Sequence, residues 1–222
     1  LGDAAGNRLI EIDVSEVPGK VTRELVFRAE DYKKDGATNS PRPSGLAARG
    51  SLLYVAIGNL NVSCVGSAGP GYLAVVDTAA ETLSARTIEL PAACRNPAAV
   101  LTTEDRIYVT CPGSYGWGAT ADEALVVLDA ASEQVLQTTQ FPRCASFEDG
   151  PEACRTAVPG RMTLHGDRLL IADSNAGRLL VTDLDGKIPS GLEQGVHICA
   201  PICYGEDDTG CYQYTSDVLS LR

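Results

Sequence analysis

The sequence predicts an all-β chain, a β-propeller or a segment of a larger one, with about three full four-stranded blades and partial blades beside them. Three observations carry this. First, one pattern recurs: LLYVAIG then GYLAVVDTAAETLSARTIEL at 52–90, RIYVT then ALVVLDAASEQVLQTTQF at 106–141, and RLLIAD then RLLVTDLDGKI at 168–188. Second, each copy opens on a proline (Pro43, Pro97, Pro159), and ten residues later an apolar residue sits in the second strand (Leu53, Ile107, Leu169). Third, the strand after the loop ends each time on an aspartate: Asp77, Asp129 and Asp183, with Asp13 as the counterpart near the start. Antiparallel four-stranded units repeated every ~50 residues are the signature of propeller blades. An ordinary β-sandwich is the alternative architecture.

The elements follow from period-two alternation bounded by turn residues. Residues 8–14 form a strand ending beside Asp13, Val17-Pro18-Gly19-Lys20 is a turn, and 21–27 is the partner strand. Together, 1–42 read as a partial blade, lacking a convincing second strand, followed by a polar loop at 28–42. Blades follow at 43–95, 96–157 and 158–190. Tight turns at Ala48-Arg49-Gly50, Glu104-Asp105 and His165-Gly166-Asp167 join first and second strands. The fourth strand is clear in two units and reduced to residues near Lys187-Ile188 in the last. Residues 191–222 form a cysteine-rich tail in which 217–221 has the pattern of another first strand. Closure of a propeller needs ~4–8 blades, so the chain reads as one segment of a longer polypeptide. Leu1–Asp13 lacks the basic-then-apolar pattern of a secretion signal and does not begin with Met, which reads as a processed or truncated chain.

Composition narrows the partners. A net charge of −11 and a pI near 4.6 disfavour nucleic acid and anionic membrane surfaces, which require positive charge. No apolar run approaches the ~18 residues of a membrane-spanning helix. Eight cysteines against two histidines point to disulfides in an oxidising, extracytoplasmic compartment: secreted, periplasmic or cell-surface.

The motif running from proline through LYV to V-V-D-T-A resembles the YVTN-type and NHL-like propeller repeats, over roughly 43–183. LYVAIG…LAVVDTAAETL is the best match and RIYVT…LVVLDAASEQVL the second. The resemblance implies blades and leaves the chemistry open.

Strand direction alternates in such a unit. Connections after strands one and three share one face, and those after two and four share the other. The first face carries only short turns. The second carries the insertions at 28–42, 58–71, 111–123, 142–158 and 189–213, with all eight cysteines. Binding is expected on the elaborated face, its loops pinned by disulfides that lower the entropy cost of ordering them. Cys144 and Cys154 share one loop and are the foremost pair. Two of Cys64, Cys94 and Cys111 are expected to bond, and Cys199, Cys203 and Cys211 form a third group.

The sharpest binding candidate is Tyr115 with Trp117, the single tryptophan, in a glycine-flanked loop suited to a protein or carbohydrate contact. The competing reading folds Trp117 back as the plug of its own loop. Calcium is the cofactor worth weighing. Asp173 and Asn175 stand where a channel entrance would lie, and Asp207 and Asp208 supply hard oxygens, although no EF-hand spacing is present. His197 with Cys199, Cys203 and Cys211 has the residue types of a structural zinc site but not its usual spacing. No G-x-S-x-G occurs, and neither His165 nor His197 completes a catalytic arrangement. The expected function is therefore an extracytoplasmic scaffold or binding module that contacts a protein, a carbohydrate or the rest of a longer propeller chain. The rivals are a propeller enzyme, lactonase-like hydrolase or oxidoreductase, with a metal or cofactor at its centre, and a structural subunit of a surface assembly.

Overall fold

The computed structural model describes residues 2–3, 5–15, 17–33, 38–61, 66–113, 123–141, 159–173 and 178–197. It is all-β. The first sheet comprises β1 (Gly2–Asp3), β2 (Arg8–Asp13) and β3 (Lys20–Val26). The second runs β4 (Pro43–Arg49), β5 (Leu52–Ile57), β6 (Tyr72–Asp77), β7 (Ala85–Glu89). The third runs β8 (Ala99–Thr102), β9 (Arg106–Cys111), β10 (Ala124–Asp129), β11 (Val135–Gln140). The fourth runs β12 (Pro159–His165), β13 (Arg168–Asp173), β14 (Arg178–Asp183), β15 (Val196–His197). Strands pair with their sequence neighbours, all antiparallel.

The sheets stack face to face in chain order. Leu9, Phe27 and Tyr32 of the first sheet and its following loop pack on Val55, Ile57, Ala74 and Val76 of the second. The opposite face of the second sheet, with Tyr54, Ala56, Leu73 and Val75, packs on Ile107, Val109, Val126 and Leu128 of the third. Tyr108, Leu125 and Val127 then meet Leu169, Ile171 and Leu180 of the fourth. The second and third sheets are thus covered on both faces. That explains why YVAI, LAVV, IYVT and ALVVL are continuous apolar runs rather than alternating ones. First strands of neighbouring sheets touch, β4 with β8 and β8 with β12. Gly45 permits this approach, because a Cβ there would lie 2.5 Å from the carbonyl oxygen of Ala98.

The repeated aspartates are turn formers. Each presents Oδ1 to a backbone N–H just beyond: Asp13 to Ser15 at 2.9 Å, Asp77 to Ala79 at 3.0 Å, Asp129 to Ser132 at 2.7 Å and Asp183 to Lys187 at 2.8 Å. The stretch Asp183-Leu184-Asp185-Gly186, similar in sequence to part of a calcium loop, is such a turn, with Gly186 at φ +84°.

Three expectations are corrected. The opening unit does have a second strand, β1, which pairs with β2 as β13 pairs with β14; even the residues recur, Asp3 opposite Arg8 and Asp173 opposite Arg178. The fourth strand of the last sheet is not at Lys187-Ile188. Lys187 is held in the Asp183 turn, Ile188 packs on the core beside Leu169, and the strand is β15, beyond the boundary expected at 190. The connection at 184–195 is consequently long, so that face is not trimmed everywhere.

Candidate functional site

The end of the sheets that receives connections after second and fourth strands holds the described features with site-like chemistry. The first is a disulfide. Cys94 lies in the connection from β7 to β8, Cys111 ends β9, and the two are bonded across 17 residues with Cα atoms 5.1 Å apart. Both are fully buried in the core between the second and third sheets. Of the three cysteines expected to supply a pair here, these two form it.

The second feature is a buried amide network under the insert at 58–71. Asn59 adopts φ +48°, a region asparagine tolerates. Its Nδ2 donates to the carbonyls of Lys33 and Pro70, both at 2.9 Å, and its Oδ1 accepts from Asn39 Nδ2 at 2.8 Å. One side chain thereby gathers two insert loops. Tyr32 and Tyr72 meet edge to face beside it, ring centres 5.0 Å apart, and burial pushes the Tyr32 hydroxyl well above its ordinary pKa.

The third feature is a set of buried charges between the third and fourth sheets. Arg178 and Asp173 are both fully buried, with Arg178 Nε donating to Asp173 Oδ2 at 2.8 Å. Arg178 Nη1 also donates to the carbonyl of Gln194 at 2.9 Å, tying β14 to the chain entering β15. Glu123 is buried at the start of β10, on the face shared with Leu125 and Val127. Asp173 was a metal candidate, but a cation there would sit against the Arg178 guanidinium in a low-dielectric site, an arrangement that like-charge repulsion opposes.

Tyr115, Trp117, Asn175, Asp207, Asp208, Cys64, Cys144, Cys154, Cys199, Cys203 and Cys211 lie outside the described residues. His165 is exposed at the end of β12, on the face away from these features. Among the described residues, no three His, Cys, Asp or Glu side chains are grouped to hold a metal ion, and no helix is long and apolar enough to cross a membrane. Sequence reasoning missed Asn59, Glu123 and Arg178. The available signal was positional: Arg178 opens a third strand where the equivalent residues are Tyr72 and Ala124, a place where a charge must be paired.

No protein-family model matches the chain. No curated protein matches it either. Among solved structures, it is similar to the crystal structure of a functionally unknown protein from Desulfotomaculum acetoxidans. The identity is 12%, the alignment covers 89% of this chain and 83% of that one, and the TM-score is 0.35.

Proposed function

We propose that the chain is an array of propeller blades of the YVTN-like kind, working outside the cytoplasm as a binding module whose contact surface is the looped end. The supporting observation is the uneven treatment of the two ends. At one end, hairpins close on aspartate turns. At the other, long connections are fastened by a buried disulfide and by Asn59. Ordering a loop costs about 1–2 kcal/mol per residue in backbone entropy, and fastening it in advance lowers what a ligand must supply on binding. The disulfide also suits an oxidising compartment. The ligand is a protein or carbohydrate surface engaged by Tyr115 and Trp117, a reading that requires no cofactor.

Trp117 is the single tryptophan, so indole emission reports from that loop alone. Titration with a panel of soluble polysaccharides and extracellular proteins should shift or quench the emission saturably for at least one member, and Tyr115→Ala should weaken that ligand about tenfold. Emission unmoved across the panel, with the fold intact by circular dichroism, would remove the aromatic loop as the contact. Eight free thiols in the native protein would remove the compartment.

A further inference from the structure

Arg42 combines an unfavourable backbone with an unused side chain. Five described residues other than glycine have positive φ: Asn7, Asn59, Asn96, Arg42 and Glu133. That region disfavours most side chains and suits asparagine best. Each of the three asparagines also uses its amide: Asn7 accepts from the Arg42 N–H, Asn59 donates to the carbonyls of Lys33 and Pro70, and Asn96 donates to the carbonyl of Gly113. Glu133, at φ +57°, is not an asparagine, but its side chain reaches Arg86 and Tyr54 of the second sheet. Arg42, at φ +48°, is the other exception. Its backbone is held on both sides, the N–H by Asn7 Oδ1 at 2.8 Å and the carbonyl by the Gly58 N–H at 3.2 Å. Among the described residues, its guanidinium meets no polar partner.

The other arginines behave differently. Arg42 is half-buried. Every other buried or half-buried arginine among the described residues reaches a carboxylate, a carbonyl or a hydroxyl, as Arg23 reaches Glu11, Arg49 the carbonyl of Glu104 and Arg95 the hydroxyl of Ser67. Acids are not scarce, since the chain has 29 against 18 basic residues. Arg42 closes the insert at 28–42 and immediately precedes β4, which places it at the looped end. In the neighbouring sheet the place before the proline belongs to Asn96, with Arg95 next to it. Gly58 lies between the two, because a Cβ there would come 2.9 Å from Asn96 Oδ1 and 3.6 Å from the Arg42 carbonyl oxygen. Two arginines thus enter one region of the looped end, and one of them is without a partner among the described residues.

We propose that Arg42 is the anion contact of the looped end, and that the ligand is a carboxylate carried on an otherwise neutral carbohydrate. A guanidinium matches a carboxylate through two parallel N–H···O bonds. A half-buried one gains more from the pair than a fully solvated one, because less water screens the charges. A partner dense in acidic groups is repelled by the net charge of −11, so the carboxylate stands alone on its carrier. A glycan with an isolated acidic sugar meets that condition, and it also suits the aromatic contact proposed for the same end. The inference rests on the looped end being the contact surface and adds the class of ligand that surface takes.

The test follows the amide chemical shifts of the isotope-labelled chain during titration with glucuronate, with glucose, acetate and phosphate as comparison probes. Glucuronate should move the Arg42 and Gly58 signals saturably, and the other three probes should do so much less at equal concentration. Arg42→Asn should weaken glucuronate binding about tenfold through loss of a charge-assisted contact. The same variant should melt about 2 °C higher, because asparagine suits the backbone there. Arg42→Lys, which keeps the charge and loses the fork, should bind between the two. No saturable shift at Arg42 overturns the proposal, as does an Arg42→Asn protein that binds glucuronate like wild type. An Arg42→Asn protein that melts lower than wild type also overturns it, since the guanidinium would then be a structural group. Equal responses to acetate or phosphate overturn the acidic sugar. Glucuronate shifts at Arg42 with Trp117 emission unmoved support this inference and count against the aromatic contact alone; a Trp117 response without shifts at Arg42 counts against this inference alone.

Discussion

Removing the Cys94–Cys111 bond should cost this protein about 3 kcal/mol of stability. The perturbation is the double substitution Cys94→Ala/Cys111→Ala. Alanine is chosen because both sulfurs are fully buried among apolar side chains, where a serine hydroxyl would add an unmet hydrogen bond. The bond closes a loop of 17 residues. In the chain-entropy description, cross-linking a loop of that length removes about 10 cal/mol/K from the unfolded ensemble, or about 3 kcal/mol at room temperature. The loop contains β8 and β9, which pair with each other, while β9 also pairs with β10 and β8 touches the second and fourth sheets, so the native state keeps its packing when the bond is absent.

The assay is urea unfolding of both proteins without reductant, followed by circular dichroism. The variant should lose about 3 kcal/mol, and its melting temperature should fall by about 6–12 °C, given the sensitivity of a chain this size. Thiols counted in denaturant should be equal in the two proteins, because the substitution removes a bonded pair. A loss below about 1 kcal/mol would refute the entropic reasoning. A thiol count two lower in the variant would refute the bond.

Three further outcomes follow from polar contacts and packing. Arg86, first, and then Tyr54 hydrogen-bond Glu133 and hold its carboxyl below the ordinary 4.5. Its contribution is therefore present above that value and fades as pH falls through the lower folded pKa. Glu133→Gln should cost about 1–2 kcal/mol at pH 7, the half-exposed Arg86 limiting the loss, and progressively less as the pH falls below 4.5; a gap independent of pH contradicts this. Asp173→Leu removes the carboxylate that accepts from the buried Arg178 guanidinium and should cost about 3–5 kcal/mol, whereas Asp173→Leu/Arg178→Met should recover most of it; losses that simply add in the cycle with Arg178→Met would show the two residues to be uncoupled. Gly45→Ala drives a Cβ into the Ala98–Ala99 backbone and should cost about 1–3 kcal/mol by chemical unfolding, against little for Gly166→Asn, whose added side chain meets open space at φ +59°.

The legible parts of this fold are those whose cause is local. Strands β5, β6, β9 and β10 could be read because sheets covered on both faces demand continuous apolar runs. The aspartate turns could be read because Asp13, Asp77, Asp129 and Asp183 bond their own neighbours. The disulfide was legible only as a choice within Cys64, Cys94 and Cys111, since pairing depends on how β9 lies against the preceding connection. Strands β1 and β15 could not be read. Each has two residues, too few for a period, and each exists only because a longer neighbour holds it in register. The buried pair was hidden for the same reason: Arg178 and Asp173 resemble solvated strand ends until β13 and β14 are paired and the third sheet is laid over them.

Alternation itself carries position. The runs LAVVD and LVVLD belong to sheets with a neighbour on either side. RLIEID and KVTRELV mix charge with Ile12, Val21 and Val26, as suits a sheet that packs on a described neighbour through one face only. The composition of each strand therefore reports how many faces of its sheet are covered by a described neighbour.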